Sequence, residues 1–349
     1  MSRLIVASIG PASSVQDGGR PGSQRYGLTP SGAMDRLSLA AANCLVGNEL
    51  FAAGVEIGPF GASFVARDGA VRVAVAGAPR NADIGGKQVS PESSITLKDG
   101  ETLTLGFARG GAFSYLAIEG GIKGEPVFGS LAVNARAGLG SPYPRPLQAG
   151  DELTVDAASG GPERRIELPK APSGPIRVVL GPQDDEFDDA NKALFLNSDW
   201  KISATSDRMG YRLEGPVIKH LHDHNIVSDG TVNGSIQVPG NGAPIVLMMD
   251  RGTSGGYPKI ATVISADLGR LAQTSAGTAF RFKAVSMAEA QDEARKFAQL
   301  LRGLPERLRA ADTVELNVEA LHDANVAGHA VNAVDAATWQ SPWQSSADA

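Results

Sequence analysis

The chain has 349 residues, 42% hydrophobic and 20% charged, the proportions of a globular protein too long for one compact core. Two subdomains are therefore expected. A net charge of −6 and an isoelectric point near 5.5 exclude an electrostatic footing for nucleic acid or an anionic membrane, while leaving small anions within reach of local arginines and backbone amides.

The first apolar run, MSRLIVASIG, is too short for a secretory leader or a membrane span, and no longer run follows, so a cytoplasmic protein is expected. Residues 3–9 read as a strand. Residues 10–36, GPASSVQDGGRPGSQRYGLTPSGAMDR, form a long loop dense in Gly, Ser and Pro, a length that is usually functional. The sequence DRLSLAAANCLVG then predicts a helix, with Asp35 favourable at its start and Gly47 placed to end it. Cys44, the single cysteine, lies in this apolar helix and reads as a small buried hydrophobe. From 62 to 156 short β-branched and aromatic runs alternate with turn signals, and Asp99-Gly100 has the composition of a tight hairpin.

The Pro-, Gly- and charge-rich stretch 158–175 is the expected boundary. Beyond it come a strand, a short helix in DEFDDANKALFL, and further strands to about residue 285. The segment from Ser286 aligns Met287, Ala290, Ala294, Phe297, Leu301 and Leu304 on one helical face, predicting a helix that packs onto the body. The expected organisation is a first β subdomain over 1–165, a second over 174–285, and a helix with a partly disordered tail over 286–349.

Several chemistries lack their signatures. There is no G-x-x-x-x-G-K-[ST] phosphate loop, no H-E-x-x-H, no C-x-x-C, no G-x-S-x-G and no Met-Lys-Met carrier segment. The alternating histidines of HLHDHN, 220–225, would share one face of a strand about 6–7 Å apart. Zinc ligands must converge at about 2.1 Å, so a solvent-facing polar turn is the better reading and no metal site is expected.

Two segments look chemical. The first is the loop holding Gln16, Asp17, Arg20, Tyr26, Ser31, Asp35 and Arg36. The second runs from Ser228 to Gln273, where the apolar strand VLMM gives way to DRGTSGGYPK. A strand ending in glycines can present main-chain N–H groups to an oxyanion. Thr253 adds a donor, Tyr257 a phenol and Lys259 a cation. Asp250 beside Arg251 is either a general base next to an anion clamp or a local ion pair. Gly255 and Gly256 either admit a substrate or make a turn. Arg208, Tyr211 and Gln237 are either pocket wall or strand-pairing residues, and Arg20 and Arg36 are candidate carboxylate contacts.

The phrases VQDGGRPG, SGAMDRLSLAAANCLVGN, SDRMGYRLEGP and GSIQVPGNGAPIVLMMDRGTSGGYPKIATVISADL resemble the biotin-dependent carboxyltransferase subunit family over about residues 3–285. The family includes the C component of 5-oxoprolinase, allophanate hydrolase subunit 2 and part of the urea carboxylase carboxyltransferase domain. The resemblance implies a mostly β fold of two barrel-like, cyclophilin-like subdomains with few short helices. It also implies ATP-dependent opening of 5-oxoproline to glutamate by a complex with A and B subunits. On that reading Asp250, Thr253, Tyr257 and Lys259 are the expected catalytic residues. Gln16, Arg20, Ser31, Arg36, Arg208, Tyr211, Gln237, Arg251, Gly255 and Gly256 are the expected contacts to a small amide or carboxylate. Alternatives within the resemblance are carboxyl transfer from biotin carried by a partner, and non-catalytic regulation of a B-type partner. The sequence departs from the pattern where relatives carry Asp-Arg-Gln-Thr and Gly-Ser-Arg-Ser-Thr. Here stand Asp250-Arg251-Gly252-Thr253 and GSLAV, 129–133, which lack an amide, an arginine and two hydroxyls.

Overall fold

A computed structural model describes residues 1–311; the expected disordered tail lies outside the described residues. The chain is mostly β with few helices, as the sequence predicts. Two antiparallel sheets stack in the first lobe. One has six strands, with Ser2–Ile9 between Glu152–Val155 and Ala62–Arg67; the other has seven and is centred on Val71–Gly77 and Ser114–Ile118. Their facing sides share a core of Leu4, Val6, Phe64, Leu103, Val55, Val73, Leu116 and Ile118.

The seven-stranded sheet is buried on both faces, which explains why its central strands read as continuous apolar runs rather than alternating ones. Leu116 and Ile118 point into the inter-sheet core, whereas Tyr115 and Ala117 face the first helix, α1 (Arg36–Leu45). Ala74, Ala76 and Ala117 on the sheet meet Ala40, Ala41 and Ala42, small side chains that let helix and sheet pack closely. Asp35 caps α1 by accepting from Leu37 N and Ser38 N, and Gly47 ends the helix in the left-handed region at φ 76°.

The Asp99-Gly100 turn forms, with Gly100 at φ 85°, but it does not close a hairpin. The strands that it joins, Ser93–Leu97 and Thr102–Leu105, belong to different sheets, so the turn carries the chain across the sandwich. Turn composition specifies the reversal and not the partner of each strand.

The second lobe contains one eight-stranded sheet. Its edge strands, Ala279–Phe280 and Phe282–Ala284, are consecutive in the chain and separated only by Arg281, so the sheet curls into a nearly closed barrel. Helix α2 (Asp189–Asn197) packs Phe195 against Trp200 and Phe282; a short α3 (Leu268–Ala272) follows the strand Lys259–Val263. Helix α4 (Met287–Arg302) starts with a capping box between Ser286 and Glu289. It packs onto the body through Phe297 and Leu301, with Leu304 just beyond its end, while Met287 at its start remains 60% exposed. After α4 the chain returns to the first lobe, where Leu308–Ala310 pairs antiparallel with Arg164–Ile166.

Candidate functional site between and beside the lobes

The long loop of the first lobe is strapped to the second. Thr29 Oγ1 and Ser31 N donate to Met249 O at 2.8 and 3.2 Å, and Gln24 Nε2 donates to Thr231 O and Thr253 O at 2.9 and 3.1 Å. The base of the loop faces inward. Gln16 Nε2 donates to Ser14 Oγ and Val133 O, and Arg20 reaches Ala132 O at 2.5 Å. Asp17 accepts from Gly19 N, Ser130 Oγ and Leu131 N, each at 2.7 Å. The divergent segment 129–133 thus seats this loop.

A buried polar junction holds the lobes together. Arg208 donates to Glu56 Oε1 at 2.5 Å, to Asp250 Oδ2 at 2.9 Å and to Gly32 O at 2.7 Å. Glu56 Oε2 accepts from Tyr115 Oη and Met34 N, and Tyr115 Oη accepts from Asp35 N. Burial works against the Arg208 charge, but Glu56 and Asp250 outweigh it and hold the guanidinium firmly protonated. Burial, then Glu56, pushes the Tyr115 phenol well up, keeping it a donor. Asp250 therefore pairs with Arg208 and not with its neighbour Arg251. Tyr211 likewise spends its hydroxyl on Ala272 O at 3.0 Å. The sequence reading missed Glu56 and Tyr115; a lone carboxylate in the apolar stretch GVEI is the signal that could have found the first.

The glycine run is partly a strand. Ser254–Gly255 pairs with Asp229–Gly230, and the carbonyls of Gly252, Thr253 and Gly256 accept from Thr231 Oγ1, Thr231 N and Ile226 N. Side chains also place donors beside Gly255. Gln237 and Lys259 are opposite partners on adjacent antiparallel strands, which puts their side chains on one face. The Lys259 ammonium is 1% exposed, and Asp229 Oδ2, at 2.9 Å, is its one hydrogen-bond partner among the described residues. Gln237 Nε2 is buried with no hydrogen-bond partner among the described residues. A Cβ at position 255 would meet that nitrogen, so glycine lets the Gln237 amide lie against the backbone there. Gln183, absent from the predicted set, donates to Asp229 Oδ2 at 3.3 Å and accepts from Lys259 N at 3.2 Å. Tyr257 stands 40% exposed nearby in the chain.

Between the long loop and α4 lies a cavity of about 560 Å³. Ser31, Arg36 and Arg251 line it with Asn233, and Met34, Met249, Leu268, Phe297 and Leu301 supply apolar walls. The fold therefore brings Gln237, Gly255 and Lys259 together in one group, and Ser31, Arg36 and Arg251 in another. The histidine stretch forms no strand: His220 Nε2 lies 2.9 Å from Val238 O, with its ring against Phe187. Among the described residues no group of three or more His, Cys, Asp or Glu side chains is placed to hold a metal ion, and no helix is long and apolar enough to cross a membrane.

The model of the carboxyltransferase domain, subdomain A and B, matches residues 26–284. The chain belongs to this family. It is 38% identical to the C component of 5-oxoprolinase from Escherichia coli, over 85% of this chain and 97% of that protein. The corresponding protein of Haemophilus influenzae is 34% identical over 84% of this chain and 94% of its own length. Among solved structures, urea carboxylase of Kluyveromyces lactis superposes with a TM-score of 0.80 at 27% identity, covering 91% of this chain and 30% of that much longer one. The family model thus spans both lobes and ends where α4 begins.

Proposed function

We propose that this carboxyltransferase-family chain is the C component of an ATP-dependent 5-oxoprolinase-type complex, a cytoplasmic assembly with A and B subunits that opens 5-oxoproline to glutamate. The observation that carries the reading is the pairing of the sealed Lys259 ammonium with the unpartnered Gln237 amide beside the bare backbone of Gly255. Likeness to the C component of the Escherichia coli 5-oxoprolinase, along nearly the whole of that protein, supports it.

Opening a lactam breaks its C–N bond, adds a hydroxyl to the carbonyl carbon and returns a proton to nitrogen, and the carbonyl oxygen gains negative charge on the way. Two donors fixed in a water-poor site stabilise such an oxygen far better than water does. Lys259 supplies charge, Gln237 supplies direction, and the missing side chain at Gly255 leaves room for the Gln237 amide. Asp229, half-exposed, is the group that the substrate oxygen replaces on Lys259. ATP, as co-substrate of the complex, phosphorylates the amide oxygen and so activates the carbon; one water adds there, the C–N bond breaks as nitrogen takes a proton, and a second water releases phosphate from the acyl phosphate that remains. Without a phosphate loop of the familiar kind, Lys259, Gln237 and Gly255 are assigned to the amide.

Reconstitution with cognate A and B subunits, 5-oxoproline and ATP tests the reading by glutamate release. Lys259→Met is expected to lower turnover about 10²–10³-fold with the complex intact by size-exclusion chromatography. No glutamate from the wild-type assembly would refute the reading, and full turnover by Lys259→Met would remove Lys259 from it. Likeness to the urea carboxylase structure favours a second reading, carboxyl transfer from biotin carried by a partner, because a ureido oxygen needs the same donors. A streptavidin blot of co-purifying proteins without a biotinylated band counts against it.

A further inference from the structure

The approximately 560 Å³ cavity between α4 and the strapped loop contains cations that no carboxylate of the described residues answers. Arg251 is 3% exposed, and its donors go to neutral acceptors: Asn233 Oδ1, Gln24 Oε1 at 2.8 Å and Thr231 O at 3.2 Å. Its Nε is buried and has no hydrogen-bond partner among the described residues. Arg36, exposed at the cavity, stacks on the Phe51 ring at 4.1 Å and makes a long contact of 3.4 Å to Gly18 O. Neither arginine has an ion-pair partner among the described residues. The carboxylates closest in sequence are engaged elsewhere: Asp17 by Ser130 and Leu131, Asp35 by Ser38 and Gln273, and Asp250 by Arg208.

Burying a charge without a counter-charge is costly, and a site evolved only for packing would place a neutral side chain at position 251. Burial alone pulls the Arg251 pKa down, with no acid nearby to restore it. A guanidinium with one uncommitted N–H and a second arginine lining the same cavity can together hold the two oxygens of a carboxylate. The methionine, leucine and phenylalanine walls suit an apolar body attached to it, and the volume is that of a small-molecule pocket.

We infer that this cavity is a binding site for a small carboxylate with a compact, largely apolar body, held by Arg251 and guided in by Arg36. The site is separate from the Lys259 group, because none of Gln183, Asp229, Gln237, Gly255 and Lys259 lines the cavity. It requires neither the lactam reaction nor the partner subunits.

Isothermal titration of the purified chain alone, without ATP or other subunits, tests it with cyclopentanecarboxylate, its neutral carboxamide and inorganic phosphate. The carboxylate is expected to bind one to one, at least about tenfold more tightly than the carboxamide or phosphate. Arg251→Met is expected to weaken carboxylate binding about tenfold or more; Arg36→Met, a change at an exposed position that tests the site should the first variant misfold, is expected to weaken it about threefold or more. Equal binding of carboxylate and carboxamide, tighter binding of phosphate, no binding at about 10 mM, or wild-type affinity in the folded variants overturns the inference. Any of these leaves glutamate release by the complex untouched, and a complex without that activity leaves the cavity's binding intact.

Discussion

Arg208 and Arg251 are two guanidinium groups withdrawn from water in one protein, and they are treated in opposite ways. Arg208 meets two carboxylates, one from each lobe, and a backbone carbonyl, so its charge is answered within the fold. Arg251 meets two side-chain amide oxygens and a carbonyl, and one of its nitrogens meets nothing. The first arrangement is complete as it stands and reads as architecture. The second is incomplete without another molecule. Burial alone does not separate the two roles; the count of opposite charges does.

This contrast is open to measurement. Arg208→Met leaves Glu56 and Asp250 facing each other without a cation, so a stability loss of about 3–5 kcal/mol is expected in chemical unfolding. A loss below that of Arg251→Met would dissolve the distinction.

Acid should pick out the answered group of charges too. Asp267, fully buried, is hindered from ionising by its burial. Hydrogen bonds from Arg177 and the nearby Arg270 charge nevertheless hold its pKa below the usual carboxylate range. A depressed folded-state pKa contributes stability above the unfolded-state value of about 3.9, and that contribution is lost as the pH falls through the folded-state value. The stability gap between wild type and Asp267→Asn is therefore expected to be full at neutral pH and to narrow below about pH 4. A gap that stays constant on acidification would show that the ion pairs contribute nothing.

The smallest effect belongs to Arg251→Met. It removes hydrogen bonds to neutral acceptors but also removes an uncompensated buried charge, so a net change of about 1 kcal/mol or less is expected in the same unfolding experiment.

Elements governed by local rules were legible in the sequence. Asp35 starts α1 and Gly47 ends it because capping and left-handed backbone depend on nearest neighbours. The apolar face of α4 follows from helical period, and Phe297, Leu301 and Leu304 pack as that period requires. Pairings between distant segments were not legible. Nothing in DRGTSGG tells that Asp250 turns to Arg208, or that Arg251 turns to Gln24 in a loop of the other lobe. The predicted set held Lys259 and Gln237, but not that a strand register would set them side by side, nor that Asp229 and Gln183 would join them. The pairing of Ser254–Gly255 was not legible either, because its partner strand is only two residues long and gives no periodic signal.

The returning strand Leu308–Ala310 has a topological consequence. The polypeptide leaves the first lobe after Ile166 and re-enters it one strand away, so the second lobe and α4 form an inserted loop whose two stems are zipped together at the neck. Swivelling about a lone tether is thereby denied to the halves. Moving the two lobes apart around Arg251 as rigid bodies must bend both stems at once or unzip the clasp.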